Sequence, residues 1–259
     1  MKVVINDTEK LGIFSTIFQN LKTITEEINL EFTEKGLYSQ GLGSNHVCLV
    51  EFMIHSSWFS EYTVDKSCSL GINCEVFHSI LSCLEKNNSF QMEYDNGDSL
   101  NITIKCEKIQ KEFEMRLLMI DTELLDIPKI EYTSDITILS KPFADYINEL
   151  DIFGDDLVIR CDGNGGDNVT LEASGDNGKM RLIIDEDYME EYLVEEGAEL
   201  EIKYAMSYIK KMTSFVKLSN TTELHISENS PLKMIYKLSE DNSDNNYFSI
   251  YLAPKVDDD

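Results

Sequence analysis

The stretch that decides the fold is EKLGIFSTIFQNLKTI, which covers residues 9–24. Its apolar side chains recur at the i, i+3, i+4, i+7 spacing of one helix face, which predicts an amphipathic helix from about Glu9 to Ile24. These side chains are Phe14, Ile17, Phe18 and Leu21. The same spacing returns 129 positions later in Phe143, Tyr146, Ile147 and Leu150. A repeat at this distance indicates that the chain consists of two similar halves.

The helix of the second half carries its own start signal. Ser140 is placed to act as the N-cap, because its hydroxyl oxygen can accept a backbone N–H of the first turn. Pro142 suits that turn, where a missing N–H costs little. We therefore expect this helix to begin at a Ser140 cap.

A second amphipathic helix follows in each half, and each precedes two alternating runs that predict a hairpin. The two helical stripes are Val76, Phe77, Ile80, Leu81 and Leu84, and Met206, Ile209, Met212, Phe215 and Val216. In the first half the runs are 90–94 and 100–104, separated at Asn96-Gly97, which is a strong hairpin signal. In the second half they are 224–226 and 234–236.

Helices that lie on one face of antiparallel sheets are typical of the α+β class. The sequence therefore predicts an α+β chain of two similar domains, residues 1–116 and 135–259. Residues 117–134 break the alternation and contain Pro128, so we interpret them as a connecting loop.

Composition limits the possible functions. The chain has 259 residues, 42% of them hydrophobic, which is enough to form a packed core. No apolar run approaches the roughly 18 residues of a membrane span, and the first ten residues are too polar for a signal peptide. We therefore expect a soluble, intracellular protein.

The charge is strongly negative, at −26 from 22 Lys+Arg and 48 Asp+Glu. Phosphate contacts need Lys and Arg, so this balance argues against a nucleic-acid-binding protein unless the basic residues share one face.

Motifs for catalysis or for metal binding are not found in the sequence. Gly163–Gly166 lies between two strand-like runs rather than before a helix, which favours a hairpin loop over a phosphate loop. Asp162, Asn164 and Asp167 do not have calcium-loop spacing. The six cysteines form no C-x-x-C pair, which favours small buried side chains in a reducing compartment. We expect no catalytic residue, metal or cofactor, and hence no enzyme.

Three segments together resemble the proliferating cell nuclear antigen family, the eukaryotic sliding clamps. Residues 36–50, GLYSQGLGSNHVCLV, resemble the family's strand–loop–strand signature. Residues 115–128 resemble its interdomain connecting loop, and residues 249–259, SIYLAPKVDDD, resemble its C-terminal strand and acidic tail. The resemblance covers essentially the whole chain in register.

The resemblance implies a homotrimeric ring whose subunits join head-to-tail, with helices around a hole for duplex DNA and sheets outside. The joining edges are then 110–117 and 179–184. The interface side chains would be Phe113, Met115, Met180 and Leu182. An alternating apolar edge left bare is an aggregation hazard, which favours a paired edge over an ordinary one.

The resemblance also implies a pocket that captures short docking peptides of the replicative DNA polymerase, clamp loader, flap endonuclease and DNA ligase. Its residues would be Leu42, His46, Val47, Leu125, Ile127, Pro128, Pro231, Leu232, Tyr251, Ala253, Pro254 and Lys255. In this interpretation Ala253–Lys255 offers its backbone to the peptide. For Leu125 taken alone, packing on the core is an open alternative. For His46, the open alternative is a core histidine whose hydrogen bonds are satisfied locally.

The DNA-facing residues would be Lys22, Lys66, His78, Lys210 and Lys211. The polar helix faces also include Thr16, Glu75, Asp145 and Glu149, so they are less basic than is usual in the family. We therefore expect weak direct DNA affinity, with retention by topology.

The favoured function is a DNA polymerase processivity factor in the nucleus, or in a viral replication factory. A subunit of a heterotrimeric checkpoint clamp and a monomeric or dimeric viral processivity factor are the alternatives.

Overall fold

The computed structural model describes residues 1–239 and 245–256. The chain divides into two compact units. Unit 1 comprises Met1–Ser44, Val50–Leu125 and the described part of Leu238–Phe248. Unit 2 comprises Asn45–Leu49, Asp126–Lys237 and the described part of Ser249–Asp259.

Helices and strands follow one another in the same order in both halves of the chain. In residues 1–116 they are β1 (Lys2–Ile5), α1 (Thr8–Leu21), β2 (Glu27–Thr33), β3 (Gly36–Leu42), β4 (Cys48–His55), β5 (Glu61–Thr63), β6 (Cys68–Asn73), α2 (Cys74–Leu81), β7 (Ser89–Glu93), β8 (Ser99–Cys106) and β9 (Ile109–Arg116). In residues 134–252 they are β10 (Ser134–Leu139), α3 (Ser140–Leu150), β11 (Asp156–Asp162), β12 (Asn168–Gly175), β13 (Gly178–Asp185), β14 (Glu191–Val194), β15 (Glu199–Ala205), α4 (Met206–Thr213), β16 (Thr221–Ile226), β17 (Leu232–Lys237) and β18 (Tyr247–Leu252).

The strands of each unit pair antiparallel. Unit 1 contains the sheet β5-β1-β7-β8-β9, and β2 pairs with both β3 and β6. Unit 2 contains the sheet β13-β12-β11-β15, and β10 pairs with both β14 and β16. The prediction of an α+β fold of two similar halves is confirmed.

Aromatic packing holds the two helices of unit 1 together. The rings of Phe18 on α1 and Phe77 on α2 meet edge-on, with centroids 4.6 Å apart. Phe14 lies 5.7 Å from Phe90 of β7, which places α1 on the sheet. Asp7 caps α1 by accepting the backbone N–H of Glu9 at 2.9 Å, so the helix begins directly after it.

The prediction that Ser140 caps the first helix of the second half is wrong. Leu139 occupies the N-cap position of α3 and makes no side-chain cap bond. Ser140 is the first helical residue, and its hydroxyl is buried without a partner among the described residues. The strand β10 runs to Leu139 and leaves no non-helical position for Ser140, although Pro142 does lie in the first turn.

All three predicted hairpins form. Asn96 and Asn229, with φ of 67° and 59°, take the left-handed conformation in the loops of β7–β8 and β16–β17. Asparagine tolerates this conformation because its short side chain can bond locally. Gly163–Gly166 lies in the loop between β11 and β12, as expected.

No helix in the described ranges is long and apolar enough to cross a membrane. Cys48, Cys74 and Cys161 are buried, and burial raises the pKa of each thiol, for Cys74 to about 12. Cys106 is exposed, which departs from the expectation of buried cysteines.

Candidate functional site

The connecting segment after β9 is tied to unit 1 by its backbone. The Leu118 N–H donates to the carbonyl of Gly71 at 2.8 Å, and the Asn29 amide donates to the carbonyl of Ile120 at 3.2 Å. Gln40 accepts the Leu125 N–H at 2.7 Å and donates to the Leu125 carbonyl at 3.1 Å. The side chain of Leu125 nevertheless stays 50% exposed. The segment thus presents an apolar side chain on a backbone that is held by hydrogen bonds.

Most of the residues expected to bind a peptide belong to unit 2. We call His46, Val47, Pro231, Tyr251 and Ala253–Lys255 the unit 2 patch. The N–H of Ala253 donates to the carbonyl of Val47 at 2.9 Å, which fixes the tail beside an exposed loop. His46 is exposed with φ of 58°, which removes the core-histidine alternative.

The aromatic ring of the unit 2 patch lies close to a lysine side chain. Tyr251 is buried, and the Lys233 ammonium lies 5.6 Å from its ring centroid. Ile127 and Pro231 are half-buried and Pro128 is exposed, whereas Leu42 and Leu125 belong to unit 1.

Two expectations for these residues need correction. Leu232 is 1% exposed, so it belongs to the core of unit 2 and not to its surface. The Lys255 N–H is already donated to the Lys203 carbonyl at 2.8 Å, and its ammonium pairs with Asp156. Because Pro254 has no N–H and Ala253 has donated its own, Ala253–Lys255 can offer carbonyl acceptors but not N–H donors. The acidic residues 257–259 lie outside the described part of the chain.

The two predicted joining strands are both sheet edges. β9 ends the five-stranded sheet of unit 1 and β13 ends the four-stranded sheet of unit 2. Position by position, their eight residues show the same sequence of exposed, half-buried and buried side chains. Phe113, Met180 and Leu182 are half-buried, but Met115 is 5% exposed and already packs inside unit 1.

Next to β9 lies an open groove of about 410 Å³. Its apolar lining combines α2, β9 and the start of the connecting segment. The apolar side chains are Val76, Ile80, Phe113, Met115 and Leu118. Val76 is 48% exposed, which is unusual for an apolar residue on a packed helix.

A cluster of basic side chains covers the face of the sheet that ends in β13. Glu172 accepts from Lys179 and from Arg181, each at 2.8 Å, and lies 3.4 Å from Arg160. Arg160 also binds Glu201 at 2.8 Å. The hydrogen bonds from Lys179 and Arg181, together with the charge of Arg160, lower the pKa of Glu172 to about 2. Sequence reasoning missed this cluster, since it joins four strands.

The helices are the least acidic part of the molecule. Together α1–α4 carry four acidic residues (Glu9, Glu75, Asp145, Glu149) and four basic residues (Lys10, Lys141, Lys210, Lys211), while the whole chain carries −26.

The expected DNA-facing residues are less available than their positions suggest. Lys210 pairs with Asp151, and Lys211 lies 5.1 Å from the ring centroid of Tyr208. Burial lowers the pKa of His78 and the charge of Lys22 lowers it further, so His78 adds no charge at neutral pH. Thr16 is buried and donates to the Gly12 carbonyl at 2.8 Å, so its assignment to the polar face was wrong. Lys66 is exposed between β5 and β6.

Among the described residues no group of three or more His, Cys, Asp or Glu is placed to hold a metal ion. Comparison with protein-family models gives two matches in tandem. Residues 7–126 match the N-terminal domain of proliferating cell nuclear antigen. Residues 126–255 match its C-terminal domain. Together these two matches span nearly the whole chain, and they meet within the connecting segment. The chain therefore belongs to the proliferating cell nuclear antigen family of DNA sliding clamps.

Proposed function

We propose that three copies of this chain close head-to-tail into a ring around duplex DNA, which tethers a replicative polymerase without any chemistry of its own. The observation that carries the proposal is the pair of edge strands, β9 and β13, on different units. Contacts between unlike surfaces make rings when the rotation closes. An edge left bare would expose unpaired backbone groups to aggregation.

In this proposal residues 1–116 and 135–259 are the two clamp domains, and 117–134 is the connecting loop between them. The neutral helices face the DNA, since they are the surface that repels phosphate least. Lys22, Lys66 and Lys211 are the basic residues on that side, and Lys210 contributes little because Asp151 neutralises it.

Partner proteins dock through short peptides on the pocket that the family resemblance predicts. Leu232 is left out of this pocket because it is buried. The support in unit 1 is an exposed Leu125. The support in unit 2 is an exposed Val47 and the ring of Tyr251, whose centroid lies 5.6 Å from the Lys233 ammonium. Polymerase, clamp loader, flap endonuclease and ligase are the expected partners, in a nucleus or a viral replication factory.

The test combines molar mass with peptide capture. Light scattering on the purified chain is expected to give about three times 29.7 kDa. A fluorescent docking peptide is expected to bind this species, and Tyr251→Ala to weaken binding at least about tenfold without changing the mass, because it removes a buried anchor. A persistent monomer would refute the ring. If the trimer binds the peptide with unchanged affinity after Tyr251→Ala, the pocket is refuted.

A further inference from the structure

The outward row of β9 is acidic at its centre. Glu112 and Glu114 are exposed on the face that alternates with Phe113 and Met115. Ser99 donates to Glu114 at 2.9 Å, and Gln110 donates to Glu112. Neither carboxylate has a cationic partner within the part of the chain that the structure describes. Lys108 precedes this row and Arg116 ends it.

The outward row of β13 has the opposite sign. Lys179 and Arg181 are exposed there, and Asp185 ends the row. Glu172 lies on the neighbouring strand and binds both. Arg160 adds a third cation and Glu201 a second carboxylate, so the cluster keeps a net positive charge. Glu172 thus holds Lys179 and Arg181 in place along the edge.

We infer that these two rows select the partner edge and set its register. β9 of one copy pairs antiparallel with β13 of a second copy, so that Glu112 faces Arg181 and Glu114 faces Lys179. This deepens the proposed ring, on which it rests, by naming the charges that decide how two copies join.

The rest of the two strands fits the same register. It brings Lys108 to Asp185, and on the inner face it brings Phe113 to Met180. If β9 shifts along β13 by two residues in one direction, Arg116 comes to face Lys179. If it shifts by two residues in the other direction, Glu114 lies beyond the end of β13. Opposite charges placed directly across a sheet stabilise a pair, and like charges destabilise it.

The rows also exclude the symmetric alternatives. Two β9 edges in antiparallel contact would set Glu112 against Glu114 of the other copy, and two β13 edges would set Lys179 against Arg181. Isologous dimers are therefore repelled, while unlike edges attract, which leaves the heterologous contact that a ring requires.

The first test reverses the acidic row. Light scattering is carried out over a concentration series at 25 mM and 500 mM salt. Glu112→Lys with Glu114→Lys is expected to raise the apparent dissociation constant of the assembly by at least about tenfold at low salt. Glu195→Lys with Glu196→Lys changes the net charge by the same amount at exposed positions away from both edges, and is expected to leave assembly unchanged.

The second test measures the register by disulfide formation. Gln110 and Ile183 are both exposed and lie opposite each other in this register. Gln110→Cys with Ile183→Cys is expected to give covalent trimers under mild oxidation, since directly paired Cα atoms lie within disulfide reach. Lys108→Cys with Ile183→Cys is two residues out of register and keeps Glu112, Glu114, Lys179 and Arg181, so it is expected to give few; the wild type with its native cysteines sets the background.

Failure of this inference is distinct from failure of the ring. If the wild type forms a trimer but the charge reversal behaves like its control, or the shifted cysteine pair cross-links better, the charge-set register is overturned and the ring stands. If the wild type does not assemble at any concentration, the proposed function itself fails.

Discussion

Gly71 is the residue on which the start of the connecting segment depends. A Cβ at this position would lie 2.3 Å from the Leu118 carbonyl oxygen, which is too close for any real contact. The bridge between β6 and Leu118 therefore exists only because position 71 has no side chain.

We expect Gly71→Ala to detach the segment around Leu118 and to lower the free energy of unfolding by about 1–3 kcal/mol. The matched control is Gly12→Ala on α1, where a Cβ meets nothing within 4 Å and where alanine raises helix stability by about 0.5–1 kcal/mol. Urea unfolding measures both, and limited proteolysis reports cleavage near Leu118. Resistance of Gly71→Ala to both would contradict this role.

For single residues, the sequence shows whether a side chain is apolar or polar, but not how deeply it is buried. Leu232 and Met115 were assigned to binding surfaces, yet both are buried. An apolar residue at the rim of a pocket and one just beneath it look alike in sequence, because both follow the same alternation. Thr16 failed for a related reason, since its hydroxyl is satisfied by the turn before it and needs no solvent.

Among the elements, α3 lacks the side-chain cap that its sequence predicts. The N–H of Lys141 is available to an oxygen on residue 139, while Pro142 has no N–H to donate. We expect Leu139→Asn to raise the free energy of unfolding by about 0.5–1 kcal/mol by supplying that acceptor. Leu139→Ala removes the same half-exposed side chain without adding a cap, so it should give no gain in thermal or urea unfolding. Equal effects of the two variants would rule out capping as the cause.

On the paired strands β10 and β16, His225 and Asp135 lie directly opposite each other and form an ion pair when the imidazole is protonated. Burial lowers the pKa of His225, but Glu223, at 3.6 Å, and Asp135 outweigh it and raise the pKa above 6.5. Lys233 opposes this rise, Lys237 binds Glu223 at 2.6 Å, and Tyr132 lies against the imidazole.

Because the folded pKa is raised, the stabilisation by His225 is fully present below about pH 6.5 and is lost as pH rises through the folded value. The destabilisation caused by His225→Asn should therefore be larger at pH 6 than at pH 9, as measured by urea unfolding. Asp135→Asn removes one of the groups that raise the pKa, so in that background the pH dependence of His225→Asn should shrink. A pH-independent effect would contradict the charged pair.

The α-helices and the hairpins were predictable because their signals are local. The periodic stripes located the four α-helices of residues 1–239, and the Asn-containing turns located the hairpins. Pairings between distant strands were not predictable, since alternation gives a strand its faces but not its neighbours. The His225 pair and the contact of Arg160 with Glu201 arise from such pairings, so both escaped sequence reasoning.

For the whole molecule, the proposed ring predicts retention by threading. We expect weak binding of the free protein to short linear duplex, because each phosphate contact contributes a salt slope of only about 0.9 and few lysines are available. Clamps loaded on closed circular DNA should remain at 500 mM salt, while those on linear DNA should slide off at either salt concentration. Tight, salt-sensitive binding of the free protein to linear duplex would contradict this prediction.

The neutrality of the helices has a consequence for how the protein first meets DNA. The α-helices of the described residues carry no net charge, while the whole chain carries −26. In the proposed ring, a duplex outside the hole therefore meets an acidic surface, whose repulsion slows association. Spontaneous encounters are suppressed before the ring ever opens, so the proposed clamp depends on another protein to deliver it to a primer end.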